Sequence, residues 1–527
     1  MLMGRIHQIS ENMKKRNFFF ALAAAAICSL AFTACSVNED NNGGSAPVEP
    51  KTGYNIFVMS DIHVMAPELL VEKGAAFEKY VKTDPKLLEE SGEVLHTLAD
   101  IVLDKKPDLV LIPGDLTKDG EMVSHQLVVS ILERIRTAGI PVIVIPGNHD
   151  INDPEGVYYI GDNTRHAERT SPEQFAQLYR NYGYARPDAV RDPASLSFAC
   201  EPLEGLVLIC LDSNRYEDNL FVENGDSIDH NQTGGRLRPA TLEWMWRQAD
   251  AARAAGKQVV AMQHHNAVEH FDGQAKIQAP YVVDNYQTVA EEMMEHGIHL
   301  VFTGHQHLQD IAQYRVHSDA GVDSLIDIST GSAVGYPNPW RMIRTNTDFT
   351  RWDVSTGYTS SIPSIANLRQ ECYKRSSTNI VDGLVWHINE YWPTIESYRS
   401  VLPTLGLPAM LLPNTPQEAG ELIMEYLGDS LRDVFMIHLT GNENDNPRGQ
   451  VLIADIDAAV KQLCIQRMKG SGDDASLDAT VGLIHTLLMA YLKPILTSML
   501  TDTNQEVGSL SSRTNDLDVV LNIPGAK

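Results

Sequence analysis

The sequence predicts an α/β fold with a helical C-terminal region, and three observations predict it. Apolar, largely β-branched runs at Asp108–Ile112 (DLVLI) and Val142–Ile145 (VIVI) suit strands buried on both faces of a parallel sheet. Segments of helical period lie between such runs, Lys86–Lys106 and Ser124–Thr137, stopped by Pro107 and Gly139. From about Ser361 the alternation ends, and helical patterns broken by Pro403, Pro408, Pro413 and Pro416 take over. Strand–helix–strand units of this kind fold with right-handed crossovers. A chain of 527 residues, 43% apolar and 21% charged, is long enough for two domains and a large core. Its formal net charge of −27 repels polyanions, so no extended nucleic acid is expected as a partner. A small phosphate ester held by metal is compatible with that charge.

The chain opens on a segment that is not part of a fold. Met13-Lys14-Lys15-Arg16 is a basic stretch, and Phe18–Ala34 is an apolar run rather short for a membrane span. It ends in Thr33-Ala34-Cys35-Ser36. Small residues before a cysteine resemble a bacterial lipobox, in which the cysteine is lipidated and becomes the mature N-terminus; Phe32 stands where that motif most often has leucine. An ordinary signal peptide, cut nearby and released, is the alternative. The expectation is a lipoprotein signal over 1–35 and a linker over 36–52, with NNGGSAPVEP at Asn41–Pro50 as its flexible part. The chain would then be exported and tied to the outer membrane by a lipid on Cys35, facing the periplasm or the cell surface. Val37-Asn38-Glu39-Asp40 resembles the acidic signal that sends some bacterial lipoproteins to the surface. Of the later cysteines, Cys200 and Cys210 flank a hairpin turning near Pro202–Gly205, which pairs Cys200 with a residue near Val207 and predicts no disulfide between the two. No cysteine has zinc-finger spacing.

In chain order, Tyr54–Ile62 is a strand that runs into Asp61-Ile62-His63, and alternate residues of a strand share a face. Asp108–Ile112 runs into Pro113-Gly114-Asp115, and Val142–Ile145 into Pro146-Gly147-Asn148-His149-Asp150. Asp150–Asp192, with a helix at Pro172–Tyr182, is expected to rim the strand ends. Ser195–Asp212 is a hairpin, and Pro239–Ala255 a helix with proline early and Gly256 past its end. Gln258–Met262 is a strand ending in Gln263-His264-His265-Asn266; Glu291–Gly297 closes a helix; His299–Phe302 is a strand ending in Thr303-Gly304-His305-Gln306-His307. Leu325–Thr330 and Trp340–Val354 are further strands. Ser364–Lys374, Val381–Arg399, Gln417–His438, Ile453–Met468 and Leu477–Met499 are helical, the last carrying Pro494. The catalytic part is placed at 53–360 and an all-α domain at 361–527.

Five strand ends thus carry Asp61/His63, Asp115, Asn148/His149, His264/His265 and His305/His307. Ligand sites of α/β sheets lie at the carboxyl ends of strands. Imidazole nitrogens with carboxylate and amide oxygens suit Zn, Mn or Fe, and the set is about right for two ions bridged by a carboxylate. Tyr336, Asn338, Trp340 and Arg341 are cleft-lining candidates, with a plain loop as the alternative. His125, His270, His296, His299 and His317 fit no pattern and are taken as structural or exposed.

D-x-H, GD, GNHD, a paired histidine after a strand and GHxH, in that order over about Tyr54–Val354, resemble the calcineurin-like metallophosphoesterases. Gly114–His125 (GDLTKDGEMVSH) and Pro146–Ile151 (PGNHDI) look like the bacterial cyclic-nucleotide phosphodiesterases of that superfamily, some of which carry a C-terminal helical domain. The resemblance implies a four-layer αββα sandwich of two mixed sheets. It implies one metal held by Asp61, His63 and His307, a second by Asn148, His264 and His305, and Asp115 between them, with His264 or His265 as the histidine ligand. His149 would face the phosphate as charge stabiliser or proton donor, and Asp150 would orient His149. The cofactors would be two divalent or trivalent transition-metal ions. The expected activity is hydrolysis of cyclic nucleotides or related small diesters. The alternatives are a monoesterase, a hydrolase of glycerophosphodiesters or extracellular nucleotides, and a binding protein that has kept the fold without the chemistry.

Overall fold

The computed structural model describes residues 52–221, 230–319, 321–397, 399–400, 412–441, 443, 446–468, 474–501 and 516–525. The expected signal peptide, Cys35 with its lipid, and the linker up to residue 51 lie outside the described residues. In chain order the first half runs β1 (Gly53–Val58), β2 (Leu70–Glu72), α1 (Ala75–Thr83), α2 (Ser91–Lys105), β3 (Leu109–Ile112), α3 (Met122–Thr137), β4 (Val142–Val144), β5 (Val157–Ile160), β6 (Asn163–His166), α4 (Pro172–Leu178), β7 (Val190–Arg191), β8 (Phe198–Leu203) and β9 (Leu206–Cys210). Then come α5 (Pro239–Ala254), β10 (Gln258–Met262), α6 (Gln274–Ile277), α7 (Tyr286–Glu295), β11 (Leu300–Thr303), β12 (Ile311–Ser318), β13 (Gly321–Ser329), β14 (Pro339–Asn346) and β15 (Arg351–Tyr358). The C-terminal region holds α8 (Leu368–Ser397), α9 (Pro416–His438), α10 (Gly449–Met468), α11 (Asp474–Thr501) and β16 (Asp518–Asn522).

Two mixed sheets carry the centre. One has the order β16-β15-β14-β1-β3-β4, parallel from β1 to β4 and antiparallel elsewhere. The other has the order β12-β13-β11-β10-β9-β8-β7, parallel from β9 through β13. A small third sheet, β2-β5-β6, sits beside them. Alternation along β9–β11 decides what each face of the second sheet meets. Leu208, Val260, Met262 and Phe302 join a core shared with Phe57, Val110 and Ile143 of the first sheet. Ile209, Val259, Ala261 and Val301 pack instead with Trp244 and Met245 of α5 and Met293 of α7. Burial of the larger of these side chains, about 1.5–3 kcal/mol for each Val, Leu, Ile, Met or Phe, favours the register that keeps each set on its own face.

Several expected boundaries shift, each for a local reason. The helix placed at Lys86 begins at Ser91. Asp84-Pro85 disfavours a helical start, Asp84 accepts the Lys86 N–H at 2.8 Å, and the Leu87 N–H is taken by the Val334 carbonyl at 3.0 Å. The stretch read as one strand at Leu325–Thr330 belongs to a long hairpin of β12 and β13, whose exposed, polar outer half hides the period. The two helices placed at Ser364–Lys374 and Val381–Arg399 are one, α8. The region 361–527 is not purely helical: β16 returns to the first sheet and pairs antiparallel with β15, a five-residue alternating strand after a long helical stretch. Cys200 lies opposite Leu208, and Cys200 and Cys210 are both free, although their buried thiols lie close enough to interact.

Candidate metal centre

All five strand ends meet at one edge of the two sheets, but not by the strand alternation that the sequence suggested. Strand β1 ends at Val58, and Asp61 and His63 lie beyond it with φ of 49° and 37°. Asp115, His305 and His307 share this left-handed backbone, with φ of 47°, 65° and 60°. Non-glycine residues there cost on the order of 1–3 kcal/mol each and cluster at functional sites. Here the hydrogen bonds that hold them run from loop to loop. The His63 N–H donates to the Asp115 carbonyl at 3.0 Å, and the His305 N–H to both Asp61 carboxylate oxygens at 3.0 and 3.1 Å. The His149 N–H donates to Asp115 Oδ1 at 3.0 Å. Glycine is required where loops touch: a Cβ on Gly147 would collide with the Asp115 carboxylate, and one on Gly304 with the Asp61 carboxylate.

Two groups of ligand atoms result, each with its atoms within 4.8 Å of one another: Asp61, His63, Asp115 and His307, and Asp115, His264 and His305. Asp115 belongs to both. His63 Nε2 lies 3.1 Å from His307 Nε2 and 3.5 Å from Asp115 Oδ2, and His307 Nε2 lies 3.4 Å from Asp61 Oδ1. On the other side His264 Nε2 is 3.3 Å from Asp115 Oδ2 and 3.1 Å from Asn148 Oδ1. The His264 Nδ1–H donates to the Pro113 carbonyl at 2.8 Å, which turns the Nε2 lone pair toward those oxygens. Acceptors aimed at acceptors fit cations and not a self-contained hydrogen-bond network.

The electrostatics agree with that fit. Burial alone would raise the Asp115 carboxyl, but His264, His149 and His63 outweigh it and hold it well below the usual carboxylate range. Burial, with Lys86 beside it, pushes His63 well down; burial, with His265 and His264, does the same to His305. Both are therefore neutral, the form that ligates metal. His264 is pushed up to about 9 because Asp115 overcomes its burial; a proton and a cation compete for the same lone pair.

The choice between His264 and His265 falls on His264. His265 Nε2 donates to the Thr233 carbonyl at 3.0 Å and Nδ1 accepts from the Ser213 hydroxyl at 2.8 Å, so neither nitrogen is left for a metal. The expectation that Asp150 orients His149 is corrected. Asp150 Oδ2 accepts from the N–H groups of Gly147 and Leu116 at 2.8 and 3.0 Å, and Oδ1 from the Thr117 N–H and hydroxyl at 2.9 and 2.8 Å. It staples the Asp115 loop to the Asn148 loop and does not touch His149. His149 Nδ1 instead faces Asp119 Oδ1 at 3.1 Å and Asp153 Oδ2 at 3.5 Å. Against its burial, Asp115 together with these two carboxylates lifts His149 well above its ordinary range. Asp119 in turn pairs with the buried Lys118. The signal for Asp119 and Asp153 was present in GDLTKD and HDINDP, as acidic residues at short spacing from the motif residues, but turn-forming aspartates look the same.

The remaining candidates are structural. The buried Arg341 guanidinium donates to the carbonyls of Ser329, Asp310 and Asp516, Asn338 to the Ala333 carbonyl, and Trp340 stacks on Phe57. His125 sits between the Tyr179 hydroxyl and the Asp150 carbonyl, each at 2.8 Å. His270 is buried between Asp310 and Asp327.

With this geometry in hand, comparison adds the following. The sequence profile of the calcineurin-like phosphoesterases (Metallophos) matches residues 54–309, a span that contains every expected ligand. No curated protein matches the chain by sequence. Among solved structures, a dimetal phosphatase from Danio rerio is similar at 12% identity and a TM-score of 0.39, covering 58% of this chain and 96% of its own. Purple acid phosphatase PPD1 from yellow lupin (Lupinus luteus) seeds is similar at 10% identity and a TM-score of 0.35, covering 60% and 53%.

Proposed function

For a chain whose residues 54–309 form a calcineurin-like phosphoesterase domain, and which is therefore a metal-dependent phosphoester hydrolase, we propose a phosphodiesterase acting on cyclic nucleotides or related small diesters. Asp61, His63 and His307 would hold one transition-metal ion, Asn148, His264 and His305 the other, and Asp115 both. When bound, such ions polarise the phosphoryl oxygens and supply hydroxide near neutral pH. The observation that carries the reading is the membership of Asp115 in both ligand groups. The four-layer αββα order belongs to the same reading, supported by the split of β9–β11 side chains between two cores. So do a catalytic domain over 53–360, export, and a lipid on Cys35, which rest on the motifs alone.

His149 supplies the proton. Its Nδ1 faces Asp119 and Asp153, so the second ring nitrogen carries its hydrogen toward the ligand groups, and the ring meets His63 edge to face with centroids 5.2 Å apart. Two carboxylates on one imidazole favour the charged form. A donor of this kind matters most when the leaving alkoxide is poor, which favours unactivated diesters. The choice of cyclic nucleotides is supported by the likeness of GDLTKDGEMVSH and PGNHDI to cyclic-nucleotide phosphodiesterases. Purified protein with Mn²⁺ is assayed on cyclic nucleotides and on bis- and mono-p-nitrophenyl phosphate. Diester turnover is expected to dominate; monoester turnover well above it would overturn the diesterase reading in favour of a monoesterase.

A further inference from the structure

One expected metal ligand is held differently from the rest. His307 is 27% exposed, while Asp61, His63, Asp115, Asn148, His264 and His305 are buried. Backbone carbonyls steer two of the other histidines, Pro113 taking the His264 Nδ1–H at 2.8 Å and Pro280 the His305 Nε2–H at 3.3 Å. Among the described residues the His307 ring has polar contacts with His63 and Asp61 alone, both through Nε2. Its φ of 60° lies in the left-handed region. With no outer hydrogen bond to orient the ring, its placement depends on the backbone that carries it.

That backbone is tied to the helical C-terminal region. Helix α9 ends at His438 with Leu439 as its C-cap, and a helix end leaves carbonyls without partners inside the helix. The Leu439 carbonyl accepts the Gln309 N–H at 3.3 Å. Gly441 turns the chain away from the helix with φ of 67°, and a Cβ there would collide with the Gln309 carbonyl. The Gly441 carbonyl accepts the Asp516 N–H at 2.8 Å. The Asp516 carbonyl accepts from Arg341, which also donates to the Asp310 carbonyl at 3.2 Å. Gln309 and Asp310, just past His307, thus both lean on chain from beyond α9. The Gln309 side chain reaches the sheet side: Oε1 accepts the Gly331 N–H at 3.0 Å, and Nε2 donates to the Thr356 hydroxyl at 2.9 Å. Gln309 is fully buried, so a shift of its main chain leaves polar groups without partners on one side or the other.

We propose that the turn after α9 positions His307, with Gly441 as the positioning residue, so that the helical region completes the half of the centre formed by Asp61, His63 and His307. The proposal rests on the two-metal reading for its ions and needs no ester for its test. Metal-free parent, Gly441→Ala and Gly441→Asn proteins, each as the full chain, are titrated by calorimetry with Mn²⁺ and in parallel with Zn²⁺. The same substitutions are made in a His307→Ala background. Asparagine tolerates the left-handed backbone, so Gly441→Asn separates backbone strain from the collision with Gln309. Each Gly441 variant is expected to bind one ion as the parent does and the other roughly ten- to a hundredfold more weakly, the usual cost of losing a group that orients a metal ligand. In the His307→Ala background the same substitution should change affinity by less than about twofold, because the ligand it positions is gone. Affinity for both ions within about twofold of the parent overturns the proposal. So does an equal loss at both ions, or the same loss in the His307→Ala background; either would make Gly441 a support for the whole fold. Turnover of bis-p-nitrophenyl phosphate is followed alongside. A parent that binds two ions and hydrolyses no ester overturns the hydrolase reading alone, and Gly441 is then judged on the titrations. A parent that takes up neither ion overturns the metal centre and the proposal with it.

Discussion

Replacing His270 with glutamine is expected to flatten the pH dependence of stability around the metal-binding loops. His270 is fully buried, its Nδ1 2.7 Å from Asp310 Oδ2 and its Nε2 3.3 Å from Asp327 Oδ2. Burial opposes its charge, but Asp327 and Asp310 prevail and lift it to about 9. Both carboxylates belong to segments that shape the centre. Asp310 follows the His305–His307 loop, and Asp327 accepts the N–H groups of Ala267 and Val268, just past His264, and the hydroxyl of Thr303. The distance from an ordinary histidine near 6.5 to about 9 corresponds to about 3 kcal/mol. A histidine raised in the folded state contributes that stability in full below pH 6.5 and loses it as the pH rises through 9. A chain of this size does not guarantee a two-state transition, so the assay is local: amide exchange at Ala267 and Val268, corrected for intrinsic rates. Protection in the parent is expected to fall about a hundredfold between pH 6.5 and 9.5. His270→Gln should start lower and change little, because it carries no titrating charge. Parallel pH curves for the two proteins would refute the reasoning and place the charge of the cluster elsewhere.

Asp115→Ala is expected to keep at most one transition-metal ion per chain by elemental analysis and to lose ester hydrolysis to background, since it removes the one side chain common to both ligand groups. Asp119→Asn should lower turnover by about one to two orders of magnitude, with a penalty that grows as the leaving group worsens, because it weakens the hold on the proton donor. Asp150→Asn should show no such leaving-group trend and should instead loosen metal binding, because two N–H donors would then face an amide NH₂. Gly304→Ala should cost roughly ten- to a hundredfold in metal affinity by calorimetry, since its Cβ displaces the Asp61 carboxylate while the strands remain intact.

Much of the site was legible because a sheet edge announces itself. An apolar run ended by Pro-Gly and then Asn-His-Asp leaves those side chains little to do except meet a ligand, and apolar runs that break off into polar residues recur at Asp61, Asp115, His264 and His305. What the sequence could not carry was backbone conformation and loop-to-loop contact. Period-two reasoning put Asp61 and His63 on one face, and the structure puts them together, but through left-handed residues beyond the end of β1. Asp150 lay next to His149 in sequence and so looked like its partner, whereas its side chain turns back to the Asp115 loop. The true neighbours, Asp119 and Asp153, lie thirty residues before and four after His149. The strand β16 was hidden for a related reason: five residues of alternation carry little signal when their partner, β15, lies across four helices.

The left-handed ligands tie fold and chemistry together. Five such residues at on the order of 1–3 kcal/mol each amount to a strain comparable with the whole stability of a domain. No single loop can hold that strain, which is why each loop leans on another: His63 on Asp115, His305 on Asp61, His149 on Asp115, and Asp150 across two of them. The ligands are thus held near their geometry before any ion arrives, and part of the binding energy of the ions is spared from organising them. The same interlocking explains the glycines: where Gly147 and Gly304 stand, the backbone of one loop passes so close to the carboxylate of another that any side chain would separate the loops. Position on a sheet edge chooses the ligand types, and this mutual bracing of strained loops gives them a common focus.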